Sequence, residues 1–97
     1  MRRAEHRKKF RQDFKRKLGG RYYDVIVKPG GELWEVIDAL AENIRLPEAY
    51  HDHALRGGYE GCRECHVRPD LLLVYRYVGD DVLMLERLGS HAELFGM

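Results

Sequence analysis

A chain of 97 residues with 44% hydrophobic and 34% charged side chains suffices for one domain with one core and is too short for a second. Its longest apolar run, Leu71 to Val74 extended by Tyr75, falls far short of the roughly 20 residues that a membrane-spanning helix needs. The net charge of +1 hides a division, because residues 1–21 hold ten Lys or Arg against Glu5 and Asp13, while the remaining 76 hold seven bases against fourteen acids.

The basic block attracts phosphate backbones and acidic protein surfaces alike. No apolar stretch follows Arg2 and Arg3, so the start does not read as a secretory signal and a cytoplasmic protein is expected. MRRAEH is short, charged and poor in strand formers. Between His6 and Leu18 the spacing of Phe10, Phe14 and Leu18 predicts a basic amphipathic helix with a narrow apolar stripe, closed by Gly19 and Gly20. Residues 21–31, RYYDVIVKPGG, mix a β-prone run with a breaker and read as a loop or a short extended piece. Leu33, Trp34, Val36, Ile37, Leu40, Ala41 and Ile44 then recur at helical spacing, which predicts a second helix over 32–43 with Trp34 as a core anchor.

Pro47 ends that helix, and LPEAYHDHALRGG reads as a polar loop carrying Tyr50, His51 and His53 into solvent. Strands are predicted over 61–67, 71–78 and 82–88, the last two joined as a hairpin by Gly79-Asp80-Asp81. Ser90 and Glu93 form a capping box that opens a single helical turn, with Gly96 to close it. Two helices followed by consecutive strands give an α+β fold, with the helices on one face of a small twisted antiparallel sheet and the other face free.

His53, His66, Asp70 and His91 make an acid–base set suited to cutting an RNA backbone without a metal. That chemistry needs a base for the ribose 2′-hydroxyl, an acid for the departing 5′-oxygen, and cations to steady the phosphate. His66 and Asp70 flank the Arg68-Pro69 turn, so the carboxylate is placed to orient the ring; a surface ion pair is the plainer reading. Phe95 is either core or a platform for a base. His6 and His51 have no assigned role and read as solvated.

Cys62-Arg-Glu-Cys65-His66 spells the C-x-x-C-H of haem attachment. In a strand, however, positions 62 and 65 point to opposite faces, and a zinc site would ordinarily show a second such pair. Neither haem nor metal is expected: Cys65 reads as a buried filler and Cys62 as an exposed or half-exposed thiol.

These motifs, HDHALRGGYEGCRECHVRPDLLLVYRY followed by VLMLERLGSHAELFG, closely resemble the YafQ branch of the RelE/ParE superfamily, mRNA interferase toxins of type II toxin–antitoxin systems. The resemblance rests on Asp52-His53 before Leu55, Cys65-His66 with Pro69-Asp70, and Arg87-Leu88-Gly89 with His91 and Leu94-Phe95. It implies a RelE-like fold, with a helical hairpin packed on a small antiparallel sheet and a short C-terminal helical turn. It implies cleavage of mRNA in the ribosomal A site beside ribosomal RNA, neutralisation by a cognate antitoxin, and no cofactor. His53, His66, Asp70 and His91 fall where the family keeps its acid–base group and Phe95 where it keeps an aromatic on the mRNA; Arg87 suits the phosphate, and Arg56 is taken as a further substrate contact. Departures are the missing regular first strand, a 21–31 stretch that looks inserted, and Cys62 where an aromatic is commoner. The alternatives are a ParE-like inhibitor of a topoisomerase, which shares the fold and does not cut RNA, and an inactive remnant that only binds its antitoxin.

Overall fold

In the computed structural model, residues 1–27 and 31–96 are described. Five strands form one sheet in the order β1-β5-β4-β3-β2: β1 Arg3–His6, β2 His53–Ala54, β3 Arg63–Arg68, β4 Leu71–Val78 and β5 Val82–Gly89. All neighbours run antiparallel except β1, which lies parallel to β5. Helix α1 (Lys8–Lys17), α2 (Tyr23–Val27) and α3 (Glu32–Ala41) precede β2, and α4 (His91–Phe95) ends the chain.

The helical layer follows from the apolar spacing. Phe10 of α1 and Leu33, Val36, Ile37, Leu40 and Ala41 of α3 are buried against Cys65, Val67, Leu71, Leu73, Tyr75, Leu83, Leu85 and Leu88 of the sheet. Each fully buried large aliphatic or aromatic side chain is worth about 1.5–3 kcal/mol over leaving it exposed. Trp34 is partly buried and packs on this core. The capping box forms as the spacing predicts: Glu93 N–H donates to Ser90 Oγ at 3.1 Å and Ser90 N–H to Glu93 Oε1 at 2.8 Å, while Gly96 at φ 72° closes the turn.

Four expectations are corrected. Arg3–His6 is a strand although all four side chains are exposed. Its backbone is held by Arg3 N–H donating to the Asp81 carbonyl and Arg7 N–H to that of Leu85, both at 2.9 Å, so non-local pairing overrides weak strand propensity. Tyr23–Val27 is a helix and not extended, because that turn drives Ile26 fully into the core and sets its carbonyl to accept from Trp34 Nε1 at 2.6 Å. The Pro29-Gly30 breaker lies outside the described residues. The polar loop holds β2, together with short 3-10 turns at Glu48–Tyr50 and Gly57–Tyr59. Finally, Cys62 is buried, with Leu72, Val74 and Leu94, in a second cluster on the opposite sheet face, and Leu55, Tyr59 and Phe95 pack on it. That face is therefore half-roofed rather than free, and Cys62 and Cys65 lie on opposite sides of the sheet.

Candidate active site

The strand pairing builds the site. β2 and β3 place His53 directly opposite Glu64, and a directly opposed pair brings two side chains together on one face. His53 Nε2 lies 2.9 Å from Glu64 Oε2. Two residues along β3, on the same face, stands His66; across β4 it faces Leu72, which in turn faces Gly89 of β5. There the chain bends into α4, so that His91 returns over the sheet with its Nε2 3.5 Å from Glu64 Oε1. Gly89 permits this bend, since a Cβ there would meet Glu93 Oε1 at 3.0 Å and Leu94 Cδ2 at 3.2 Å.

Glu64, 2% exposed, is thus the hub of the histidines. Its Oε1 accepts no hydrogen bond among the described residues, an unsatisfied position that a buried carboxylate tolerates poorly. The rings form a continuous row: His51–His66 at 5.4 Å between centroids, His66–His91 at 6.0 Å, His91–Phe95 at 5.3 Å and Phe95–Tyr59 at 5.2 Å. His53 flanks the row 6.5 Å from His66.

Protonation follows from the contacts. His53 Nδ1 lies 2.6 Å from the His51 carbonyl, which only accepts, so Nδ1 carries the hydrogen. Its Nε2 then faces Glu64 Oε2 at 2.9 Å. At His66, burial lowers the pKa from the ordinary 6.5, Glu64 pulls it up, and His51 and His91 push it down. Desolvation wins, so the neutral form with a free lone pair is favoured. Beside His51 and His66 opens a cavity of about 430 Å³, bounded also by Tyr50, Arg68, Pro69 and Glu32.

The structure brings together His53, His66 and His91, with Phe95 against them. Asp70 is held elsewhere: its carboxylate accepts from Arg21 and from the Tyr22 hydroxyl, in a recess shared with Lys17, Ser90 and Glu93. It makes no hydrogen bond to His66, because the bend after β3 turns it towards the α1–α2 connection. Arg87 is also outside the cluster, its fork gripping Asp13 at 2.7 and 3.1 Å, with Nη1 3.4 Å from the Tyr59 hydroxyl. Arg56 is exposed just before the second 3-10 turn. Sequence reasoning missed Glu64, His51 and Tyr59. The signal for Glu64 was present, since residues i and i+2 of a strand share a face and His66 was already singled out.

Glu64, His66 and His91 each offer a ligand atom within 4.8 Å of one another. Two imidazoles and a carboxylate form a donor set that zinc or copper accepts.

A helical layer on one face of a five-stranded sheet, with a histidine–carboxylate cluster on the other, defines a RelE-like α+β toxin fold. The family model described as "Bacterial toxin of type II toxin-antitoxin system, YafQ" matches residues 2–96, and the chain belongs to that family. It is 49% identical over 57 residues to the mRNA interferase toxin YafQ of Escherichia coli K12, covering 59% of this chain and 61% of that protein. The matched stretch thus spans about three fifths of this curated relative. Among solved structures, a copper-bound mutant toxin from Helicobacter pylori superposes with a TM-score of 0.81 at 41% identity, covering 98% of this chain and 100% of that one. The E. coli DinJ–YafQ complex contains a chain that superposes at 0.78 with 34% identity, covering 99% and 100%.

Proposed function

We propose that this protein is an mRNA endoribonuclease, the toxin of a type II toxin–antitoxin pair, that cuts message held in the ribosomal A site and is silenced by a cognate antitoxin. The observation that carries the reading is the His66–His91 pair, 6.0 Å apart between ring centroids and backed by the buried Glu64. A phosphodiester resting on both rings has a base on one side and an acid on the other. His66, kept neutral by burial, takes the 2′-hydroxyl proton; the 2′-oxygen attacks phosphorus, the bond to the 5′-oxygen breaks, and His91 protonates that oxygen. The products are a 2′,3′-cyclic phosphate and a free 5′-hydroxyl. His66 then releases its proton to water and His91 takes one back; His53 pairs with Glu64 behind the two rings, Phe95 carries a base, and Asp70 ties residues 21–22 beside the site. Each acid–base group contributes about 10²- to 10⁴-fold. The family model, the name of the E. coli relative and the toxin–antitoxin complex in which its fold is seen support the reading.

Inducible expression with and without the neighbouring antitoxin frame, read by growth and by primer extension on a cellular message, tests it. Growth arrest with cuts in the message, both abolished by the antitoxin, is the expected result. Arrest with intact message and stalled replication would instead establish the topoisomerase-inhibitor reading. No arrest at all would leave an antitoxin-binding remnant.

A second reading concerns the same residues. The H. pylori relatives are described as copper-bound and metal-bound, and here Glu64, His66 and His91 converge. An ion on those atoms would occupy the lone pairs that proton transfer uses. Cleavage that persists or rises in chelator and falls on adding copper fits an ion that silences the site; cleavage lost in chelator and restored by copper would refute the metal-independent mechanism.

A further inference from the structure

The polycationic N-terminus has no part in the histidine cluster, yet the fold carries it to the end of the row of rings. A cavity of about 390 Å³ is lined by Arg7, Lys8, Lys9, Arg76 and Arg87 against the single carboxylate of Glu86, with Gly58, Tyr59 and Cys62 as its neutral wall. Glu86 is shared between Arg7 at 3.3 Å and Arg76 at 3.4 Å, and Arg87 is engaged by Asp13. Lys8 and Lys9 have no ion-pair partner among the described residues. They also stand in the first turn of α1, which holds no acidic residue, although that end of a helix favours acids and disfavours cations. The arrangement costs helix stability and leaves a concentrated positive field inside a concave site. Tyr59 belongs to both features: it lines the cavity and its ring meets Phe95 at 87° and 5.2 Å.

We propose that this cavity binds the backbone phosphates of the substrate RNA strand a few nucleotides from the cut, and that the strand runs from it over Tyr59 and Phe95 to His91 and His66. The inference rests on the endoribonuclease reading for the identity of the strand. A row of rings ending in a basic recess is the general design for holding single-stranded nucleic acid, in which aromatic faces stack bases and cations track the backbone. An acidic protein segment would also be attracted, but a row of planar rings leading directly to the acid–base pair favours a strand that must reach that pair. Lys8 and Lys9 are positioning residues, contributing affinity and register rather than chemistry.

The test is binding of a 2′-O-methyl heptaribonucleotide, which lacks the attacking hydroxyl and stays intact, measured by fluorescence anisotropy across a range of potassium chloride concentrations. Both lysines are exposed and disfavoured at that end of the helix, so Lys8→Ala/Lys9→Ala is expected to keep the thermal midpoint or raise it slightly. Its affinity should fall at least about tenfold at low salt. The slope of log affinity against log salt should flatten by about 1.4, since each of the two lost single-strand phosphate contacts removes about 0.7. Lys8→Glu/Lys9→Glu should lose more. Unchanged RNA affinity and slope would overturn the proposal, and two further readings say what the surface then does. Weakened binding to the antitoxin alone would make it a protein-docking face, and weakened sedimentation with ribosomes alone would make it a ribosomal RNA contact. Wild-type protein that binds the oligomer through these lysines yet never cuts message would retire the nuclease reading while leaving the cavity assignment standing.

Discussion

Asp13 of α1 and Arg87 of β5 are joined by two hydrogen bonds, Nε to Oδ2 at 2.7 Å and Nη2 to Oδ1 at 3.1 Å. The Leu88 N–H adds a third, to Oδ2 at 3.0 Å. Asp13 is only 2% exposed, so this pair fastens the first helix to the strand that feeds α4. Breaking a buried pair strands the remaining charge. Asp13→Ala should therefore cost roughly 3 kcal/mol or more of stability, seen as a lowered urea midpoint, and a midpoint within experimental error of wild type would contradict the assignment.

The lowered pKa of His66 gives the pH profile a direction. A protonated His66 cannot accept the 2′-hydroxyl proton, so activity falls as pH drops through its pKa, which burial sets below the ordinary 6.5. Glu64 opposes that shift. Removing its charge in Glu64→Gln lowers the pKa further and moves the acid limb of the rate profile to lower pH. Single-turnover cleavage across pH checks this, and movement to higher pH would refute the electrostatic picture.

His66→Ala and His91→Ala should each abolish cleavage and toxicity while leaving thermal stability and antitoxin binding intact, because both rings are partly or wholly exposed. A fully toxic His91→Ala protein would remove the mechanism.

Asp70 offers a test of how a residue outside the cluster contributes. Its carboxylate is engaged by Arg21 and Tyr22, so it should act through that connection. Arg21→Ala/Tyr22→Phe should then reproduce the effect of Asp70→Ala on the cleavage rate, and combining all three substitutions should add little. Additive losses would mean that Asp70 meets the RNA directly.

The two thiols should be inert in the native protein. Cys65 is fully buried and its pKa is pushed up to about 12, chiefly by burial; Cys62 is also buried, behind Arg76. Thiol titration with Ellman's reagent should find neither until denaturant is added, whereas rapid reaction at Cys62 would show the second cluster to be open.

The sequence by itself determined α3, the paired strands β4 and β5 and the capping box of α4, because each is written in local periodicity or in a motif of fixed spacing. It did not determine β1 or α2. Arg3–His6 is a strand only because β5 offers it a backbone ladder, and Tyr23–Val27 coils only because Ile26 has a core to enter. The site divides the same way. His53, His66 and His91 could be named from the chain, but Glu64 became their hub through the β2–β3 register, and Asp70 and Arg87 were claimed by Arg21 and Asp13 from distant segments. Which charges meet is a property of strand register and helix packing, and both are settled by contacts between residues far apart in the chain.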